Sequence, residues 1–210
     1  MCSSDLLTPV LISDNEILVF YKNATKDTIF SRRTTNSGQS WSNQKFEQAG
    51  EGINSFYYDM CLFKTSTGRL LFFYVSADFE IRCYFSDDNG ISWIGETQIT
   101  SSITFDLSVI EVEPNKIILS FSRGSRWFTR LSTDNGETWT EDTYYKPPSR
   151  IGWQYRNPNF IKLSVSGDSV LAIYSSSYSI IYSQLSTDRG NTWSDSTRII
   201  DTGIGFDWNF

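Results

Sequence analysis

The sequence predicts an all-β protein assembled from four similar antiparallel units. Three observations carry that expectation. An octapeptide recurs four times: TTNSGQSW at 34–41, SDDNGISW at 86–93, STDNGETW at 132–139 and STDRGNTW at 186–193. Its tryptophans, Trp41, Trp93, Trp139 and Trp193, follow one another at 52, 46 and 54 residues, a period that marks repeated supersecondary units. Between the copies lie short apolar and alternating runs rich in aromatic and branched residues, with no sustained helical period.

The octapeptide has the makings of a hairpin turn. Each copy opens on Ser or Thr, places Asn36, Asp88, Asp134 or Asp188 third, and Gly38, Gly90, Gly136 or Gly190 fifth. A short carboxylate or amide side chain accepts backbone N–H bonds and holds a tight turn. The glycine supplies a positive φ without a Cβ penalty. The closing Trp brings a large apolar surface to the start of the outgoing strand, suited to packing under the turn or between units.

With the boxes as markers, each unit divides into four strands. Second strands align as EILVFY (16–21), RLLFFY (69–74), KIILSF (116–121) and SVLAIY (169–174), each after a polar turn. Third strands run into the boxes as DTIFSRR (27–33), EIRCYF (80–85), RWFTRL (126–131) and IIYSQL (180–185). Fourth strands, NQKFEQ, ETQITS, EDTYYK and DSTRII, are short and polar, as suits an outer edge that must not pair with strangers. First strands are expected in TPVLI (8–12), YYDMCLF (57–63), TFDLSVI (104–110) and QYRNPNFIKL (154–163). The units therefore span about 7–49, 55–102, 103–149 and 153–201, and Phe206-Asp207 matches the opening of another at 203–210.

Composition removes several function classes. The net charge of −6 and the lack of a basic run argue against a nucleic-acid partner. No apolar run reaches spanning length, so membrane insertion by a helix is not expected. Histidine is absent, which excludes Ser-His and Cys-His nucleophiles and the usual zinc sites. Aromatic residues make up 16% of the chain, a supply for strand packing and for stacking on sugars. The cysteines, Cys2, Cys61 and Cys83, are odd in number and lack metal-site spacing. A Cys61–Cys83 bridge would join the first and third strands of one unit, which are not neighbours, so buried free thiols are the favoured expectation. Met1–Leu6 does not have the pattern of a signal peptide, and the native start is expected to lie elsewhere.

The pattern S/T-x-D-x-G-x-T/S-W resembles the Asp-box, or BNR repeat, of the sialidase-like β-propellers. The resemblance covers nearly the whole chain and implies blades of four antiparallel strands around a central channel. It also implies a larger ring, commonly of six blades, of which this chain is a fragment; a four-blade ring with a C-terminal tail is the alternative. Implied activities are glycoside hydrolysis at terminal residues of glycans, sialic acid among them, or non-catalytic carbohydrate or protein binding on the same scaffold. An extracellular or cell-surface location goes with the resemblance. No cofactor or metal is expected, because the box carboxylates are used by their own turns.

In such a blade the box turn lies at one end. The start of the first strand and the loop after the second lie at the other, so the candidate site is at first-strand starts: Asp59, Asp106, Arg156 and Asp207, each beside an aromatic residue. Arg123 and Arg126, and the carboxylates Asp78 and Glu80, are expected in loops at the same end. Carboxylates, arginines and aromatic faces together suit a sugar. Tyr155-Arg156-Asn157-Pro158 is similar to the Y/F-R-I-P stretch whose arginine clamps the substrate carboxylate in sialidases, with Asn157 in place of the apolar residue. Arg156 and Tyr155 are therefore the substrate-binding candidates, supported by Arg123, Arg126 and Asp207. Asp59, Asp78 and Asp106 are the carboxylates available for catalysis. The family's acid sits in the loop after the second strand of the arginine's own blade, which here is Ser175–Ser179 without a carboxylate. Its Tyr/Glu nucleophile pair cannot be picked out among 11 tyrosines.

Overall fold

A computed structural model describes residues 7–23, 28–43, 45–48, 60–101, 105–123, 126–145, 161–177 and 180–201. The described residues form sixteen strands in four four-stranded antiparallel sheets, each in simple sequence order. Two compact units contain them, Cys2–Thr104 and Phe105–Phe210.

The first unit holds β1 (Leu7–Ser13), β2 (Glu16–Asn23), β3 (Thr28–Thr34) and β4 (Lys45–Gln48), then β5 (Met60–Lys64), β6 (Leu70–Val75), β7 (Ile81–Ser86) and β8 (Ile94–Gln98). In β2 the alternation of the sequence is kept: Leu18, Phe20 and Lys22 are buried while Ile17, Val19 and Tyr21 are half-buried. Every residue of β6 is buried, which is why this strand reads as the unbroken run LLFFYV. The two sheets share one core of Ile12, Leu18, Phe20 and Ile29 from one side and Met60, Leu62, Leu70, Phe72 and Tyr74 from the other.

The second unit holds β9 (Phe105–Glu113), β10 (Lys116–Arg123), β11 (Arg126–Ser132) and β12 (Thr143–Tyr145), then β13 (Ile161–Ser166), β14 (Ser169–Ser177), β15 (Ile180–Ser186) and β16 (Thr197–Asp201). Its shared core runs from Val112, Ile118 and Trp127 to Val170, Ala172, Tyr174 and Tyr182.

Within each unit the sheets are joined by the same device. The Thr8 hydroxyl accepts from the Leu62 amide at 3.0 Å, and the Ser108 hydroxyl accepts from the Leu163 amide at 3.3 Å. Thr8 pairs with Phe20 and Ser108 with Ser120, equivalent positions of β2 and β10, so one repeated hydrogen bond stitches successive first strands.

The cysteines differ from expectation in one respect. Cys83 is a buried free thiol, and burial holds its pKa well above the ordinary thiol value. Cys61 is instead in a disulfide. The strand order explains why the two do not join: both pair with Phe73, from opposite sides of β6. The disulfide partner of Cys61 lies outside the described residues.

Candidate functional site

The four boxes occupy the β3–β4, β7–β8, β11–β12 and β15–β16 connections and are built alike. The opening hydroxyl residue is buried in each: Thr34, Ser86, Ser132 and Ser186. It donates to the third-position side chain, Asn36 at 2.8 Å, Asp88 at 2.7 Å, Asp134 at 2.8 Å and Asp188 at 2.8 Å. The same hydroxyl accepts from the glycine amide, at 3.0 Å for Gly38 and 2.8 Å for Gly90, Gly136 and Gly190. The third-position side chain then reaches forward to the seventh residue. Asp188 accepts from the Thr192 amide at 2.8 Å and its hydroxyl at 2.6 Å, and Asp88 and Asp134 do the same with Ser92 and Thr138.

Two successive residues in each turn are left-handed: Ser37 and Gly38, Asn89 and Gly90, Asn135 and Gly136, Arg189 and Gly190. The fifth position is therefore glycine for its backbone. Ser37, Asn135 and Arg189 each donate their amide, at 2.9 Å, to a carbonyl in the turn between the first two strands of their own sheet. The box and that turn thus share one end, and first-strand starts and second-to-third-strand loops share the other.

Hydrogen bonds from Ser92 hold the Asp88 carboxyl far below its ordinary range, and those from Thr192 hold Asp188 at about 2. Burial works the other way on Asp134, but bonds from Thr138 and Ser132 outweigh it and keep its pKa low as well. These carboxylates are ionised, saturated with donors and unsuited to acid–base chemistry near neutral pH.

Two of the box tryptophans also seat a sheet on the one before it within their own unit. Trp93 packs on Phe20 and Phe72, with centroids 5.1 and 6.4 Å away, and Trp193 meets Trp127 edge-on at 5.4 Å. Arg33 donates to the Asn89 carbonyl of the next box, and Arg189 pairs back to Glu113 of the preceding sheet.

At the opposite end the structure gathers a polar and aromatic cluster, of which the sequence had marked only Glu80 and, in the second unit, Arg123. The Tyr74 hydroxyl donates to Glu96, and Arg82 pairs with Glu96 at 3.1 Å and Glu80 at 3.3 Å. Tyr84 stacks on Tyr74 with centroids 6.1 Å apart. The second unit has a counterpart in which Asp142 accepts from Arg123 and Arg130, both at 2.6 Å, while Arg123 lies 4.8 Å over the Phe128 ring. In the fourth sheet Tyr174 donates to Ser196 at 2.8 Å. Glu96, Asp142 and Ser196 each stand three residues after a box tryptophan. That recurring polar position was the signal that could have found the cluster.

A Tyr–Glu pair is the composition of a carboxylate-activated phenol, but this one is set the other way. Burial, then the Glu96 hydrogen bond, drives the Tyr74 pKa far above the ordinary phenol value. Tyr84 is pushed up to about 12, by burial first and Glu96 second. Tyr74 is neutral and buried, and its role is to close the core between the first two sheets.

Of the candidates, Asp78 lies exposed in the tight turn from Ser76 to Glu80, closed by the Phe79 amide on the Ser76 carbonyl at 2.9 Å. Arg123 ends β10 and is committed to Asp142. Arg126 begins β11, paired with Arg123, and Asp106 is the second residue of β9; their side chains lie outside the described residues, as do Asp59, Tyr155, Arg156 and Asp207 altogether. Among the described residues no group of His, Cys, Asp and Glu could hold a metal ion, and no helix is long and apolar enough to cross a membrane.

No protein-family model matches the chain, and no curated protein matches its sequence. Its fold is nonetheless shared with solved structures of β-propeller glycoside hydrolases. An α-L-arabinofuranosidase from Fusarium graminearum, in complex with an iminosugar inhibitor, matches with a TM-score of 0.66 at 15% identity, over 92% of this chain and 65% of that one. An α-L-arabinanase from Penicillium chrysogenum, complexed with arabinobiose, gives 0.63 at 15% identity, over 94% of this chain and 67% of that one. A sialidase from Streptococcus pneumoniae gives 0.65 at 10% identity, over 96% of this chain and 52% of that one. The chain thus spans about two thirds or less of the length of these structures.

Proposed function

We propose that this chain contributes four Asp-box sheets to a larger, six-bladed sialidase-like propeller that acts on terminal residues of glycans outside the cell. The observation that supports this most is the division of labour within each sheet. The box carboxylates are consumed at one end, while the other end carries first-strand starts in a fold shared with carbohydrate-active propellers. In this reading Arg156, beside Tyr155, pairs with the carboxylate of an acidic sugar. Asp59 or Asp106 binds hydroxyls or supplies the acid, and Arg123, Arg126 and Asp207 stand around them.

A second reading, a propeller that binds carbohydrate without cleaving it, is favoured by one observation. The Tyr74 phenol beside Glu96 is buried and held neutral, and Arg123 is already paired with Asp142. The two readings separate in one experiment on the protein: release of a fluorogenic leaving group from a sialoside and from an arabinofuranoside, with calorimetric binding of the matching oligosaccharides. Turnover supports the hydrolase. Binding without turnover supports the second reading, and neither binding nor turnover removes both.

A further inference from the structure

The fourth position of the box is left-handed in every copy, at φ 55° to 60°, and its occupants are Ser37, Asn89, Asn135 and Arg189. Asparagine suits that conformation better than most side chains. In the second and third boxes it stands directly before glycine, and the chain contains no other Asn-Gly pair. Such a pair carries a reaction of its own, because glycine has no side chain to shield its backbone nitrogen from the asparagine amide carbon.

The two pairs share a turn and differ in what holds them. In both, the glycine amide donates to the opening serine hydroxyl at 2.8 Å, so the nitrogen is occupied while the turn is closed. Asn135 is half-buried, and its own amide is tied to the Asn115 carbonyl at 2.9 Å. Asn89 is exposed, and neither its amide nor its side chain makes a hydrogen bond among the described residues. Its carbonyl accepts from the Arg33 guanidinium of the preceding sheet. That carbonyl and the Gly90 N–H belong to one peptide group. A charged donor on the oxygen draws electron density from the nitrogen and makes its proton easier to lose.

We infer that Asn89–Gly90 is a site of spontaneous modification, deamidation through a succinimide, to which the fold directs the reaction in preference to Asn135–Gly136. The reaction starts when the turn opens locally and Gly90 leaves Ser86. The Gly90 nitrogen then bonds to the Asn89 side-chain amide carbon. The bond from that carbon to the side-chain nitrogen breaks, and the nitrogen leaves with the Gly90 proton as ammonia. Water opens the succinimide at either carbonyl and leaves an aspartyl or an isoaspartyl residue. The isoaspartyl form adds one carbon to the main chain between Asp88 and Gly90. Gly90 is closely packed there, since a Cβ on it would stand 2.7 Å from Leu18 and 3.3 Å from Leu70 and Trp93. The modification therefore loosens the seat of the second sheet on the first, in the core they share. The inference is independent of any sugar chemistry.

Peptide mapping by mass spectrometry on the folded chain, aged in mildly alkaline buffer, tests it, with isoaspartate counted by enzymatic methylation. The expected result is conversion at Asn89 several-fold ahead of Asn135, with the two rates drawing together in concentrated urea. Arg33→Gln, folded by circular dichroism, should slow Asn89 several-fold and leave Asn135 unchanged. Asn89→Gln, which would have to close a larger ring, should abolish the signal from the second box. Aged protein enriched in isoaspartate should melt below the parent, while Asn89→Asp, which keeps the ordinary main chain, should stay close to it. Conversion at Asn135 as fast as at Asn89 in the folded chain overturns the inference, as does an Asn89 left intact when the urea-unfolded chain has reacted. An unchanged Asn89 rate in folded Arg33→Gln overturns the part given to Arg33. If that variant does not fold, the comparison of Asn89 with Asn135 in the parent chain decides alone.

Discussion

Gly190 lies so close to Ile118 that a single added methyl group would overlap the isoleucine Cδ1, while the same addition at Gly38 would meet open space. Both glycines are left-handed, at φ 82° and 88°. Gly38→Ala thus isolates the backbone cost, about 1–2 kcal/mol, and Gly190→Ala adds overpacking of about 1–3 kcal/mol. Urea unfolding of the two variants should rank them in that order. Equal losses would mean that the box glycine matters only for its turn.

The box carboxylates predict a particular acid response. Their pKa values are depressed in the fold, so the ionised form is the one the fold favours. Their contribution is complete above the unfolded value, about 4, and is lost as pH falls through the folded values, near 2 for Asp188. Melting temperature should therefore show little pH dependence from these groups near neutrality and decline progressively below pH ~4. Asp134→Asn should stay close to the parent at pH 7, because Asn36 already makes the same bonds to Thr34 and Ser40. Asp134→Ala, which cannot, should melt lower.

Tyr74 and Tyr84 predict the opposite end of the pH scale. Raised phenol values mean that their contribution is full below about pH 10 and is lost as pH rises through the folded values, about 12 for Tyr84. Phenolate absorbance should show these tyrosines ionising only with alkaline unfolding. Tyr74→Phe should cost about 1 kcal/mol and leave sugar binding unchanged, whereas a loss of binding would return Tyr74 to the site.

The stitch between first strands is open to a direct check. Thr8→Val and Ser108→Ala each leave a backbone amide, Leu62 or Leu163, without its acceptor. Each should lower stability by about 1–3 kcal/mol in chemical unfolding. Amide exchange at Leu62 or Leu163 should quicken in the variant concerned and remain slow in the other. Unchanged exchange at both would make the repeated bond incidental.

Much of the fold was legible because the boxes punctuate it. The second strands expected at 16–21, 116–121 and 169–174 fall inside β2, β10 and β14, and that at 69–74 lies in β6 except for Arg69, since strand period and turn chemistry agree there. Edges were less legible. β8 begins at Ile94, directly after the box, where the polar run ETQITS had suggested a later start. The Tyr74–Glu96–Arg82 cluster was not legible because its members come from three strands and meet only through cross-strand register. Cys61 was misjudged for a related reason: strand order rules out the bridge to Cys83 but says nothing of a partner outside that sheet. The candidate ring itself, Asp59, Arg156 and Asp207, rests on alignment of the repeats alone.

The central claim is that the repeated end of each sheet is structural and that sugar is met at the other end. Binding of a sialylated oligosaccharide, titrated calorimetrically against Asp188→Asn and Arg156→Ala, tests it most directly. The account predicts parental affinity for Asp188→Asn, at the box end, and loss of measurable binding for Arg156→Ala. Undiminished binding by Arg156→Ala together with loss in a folded Asp188→Asn would contradict it.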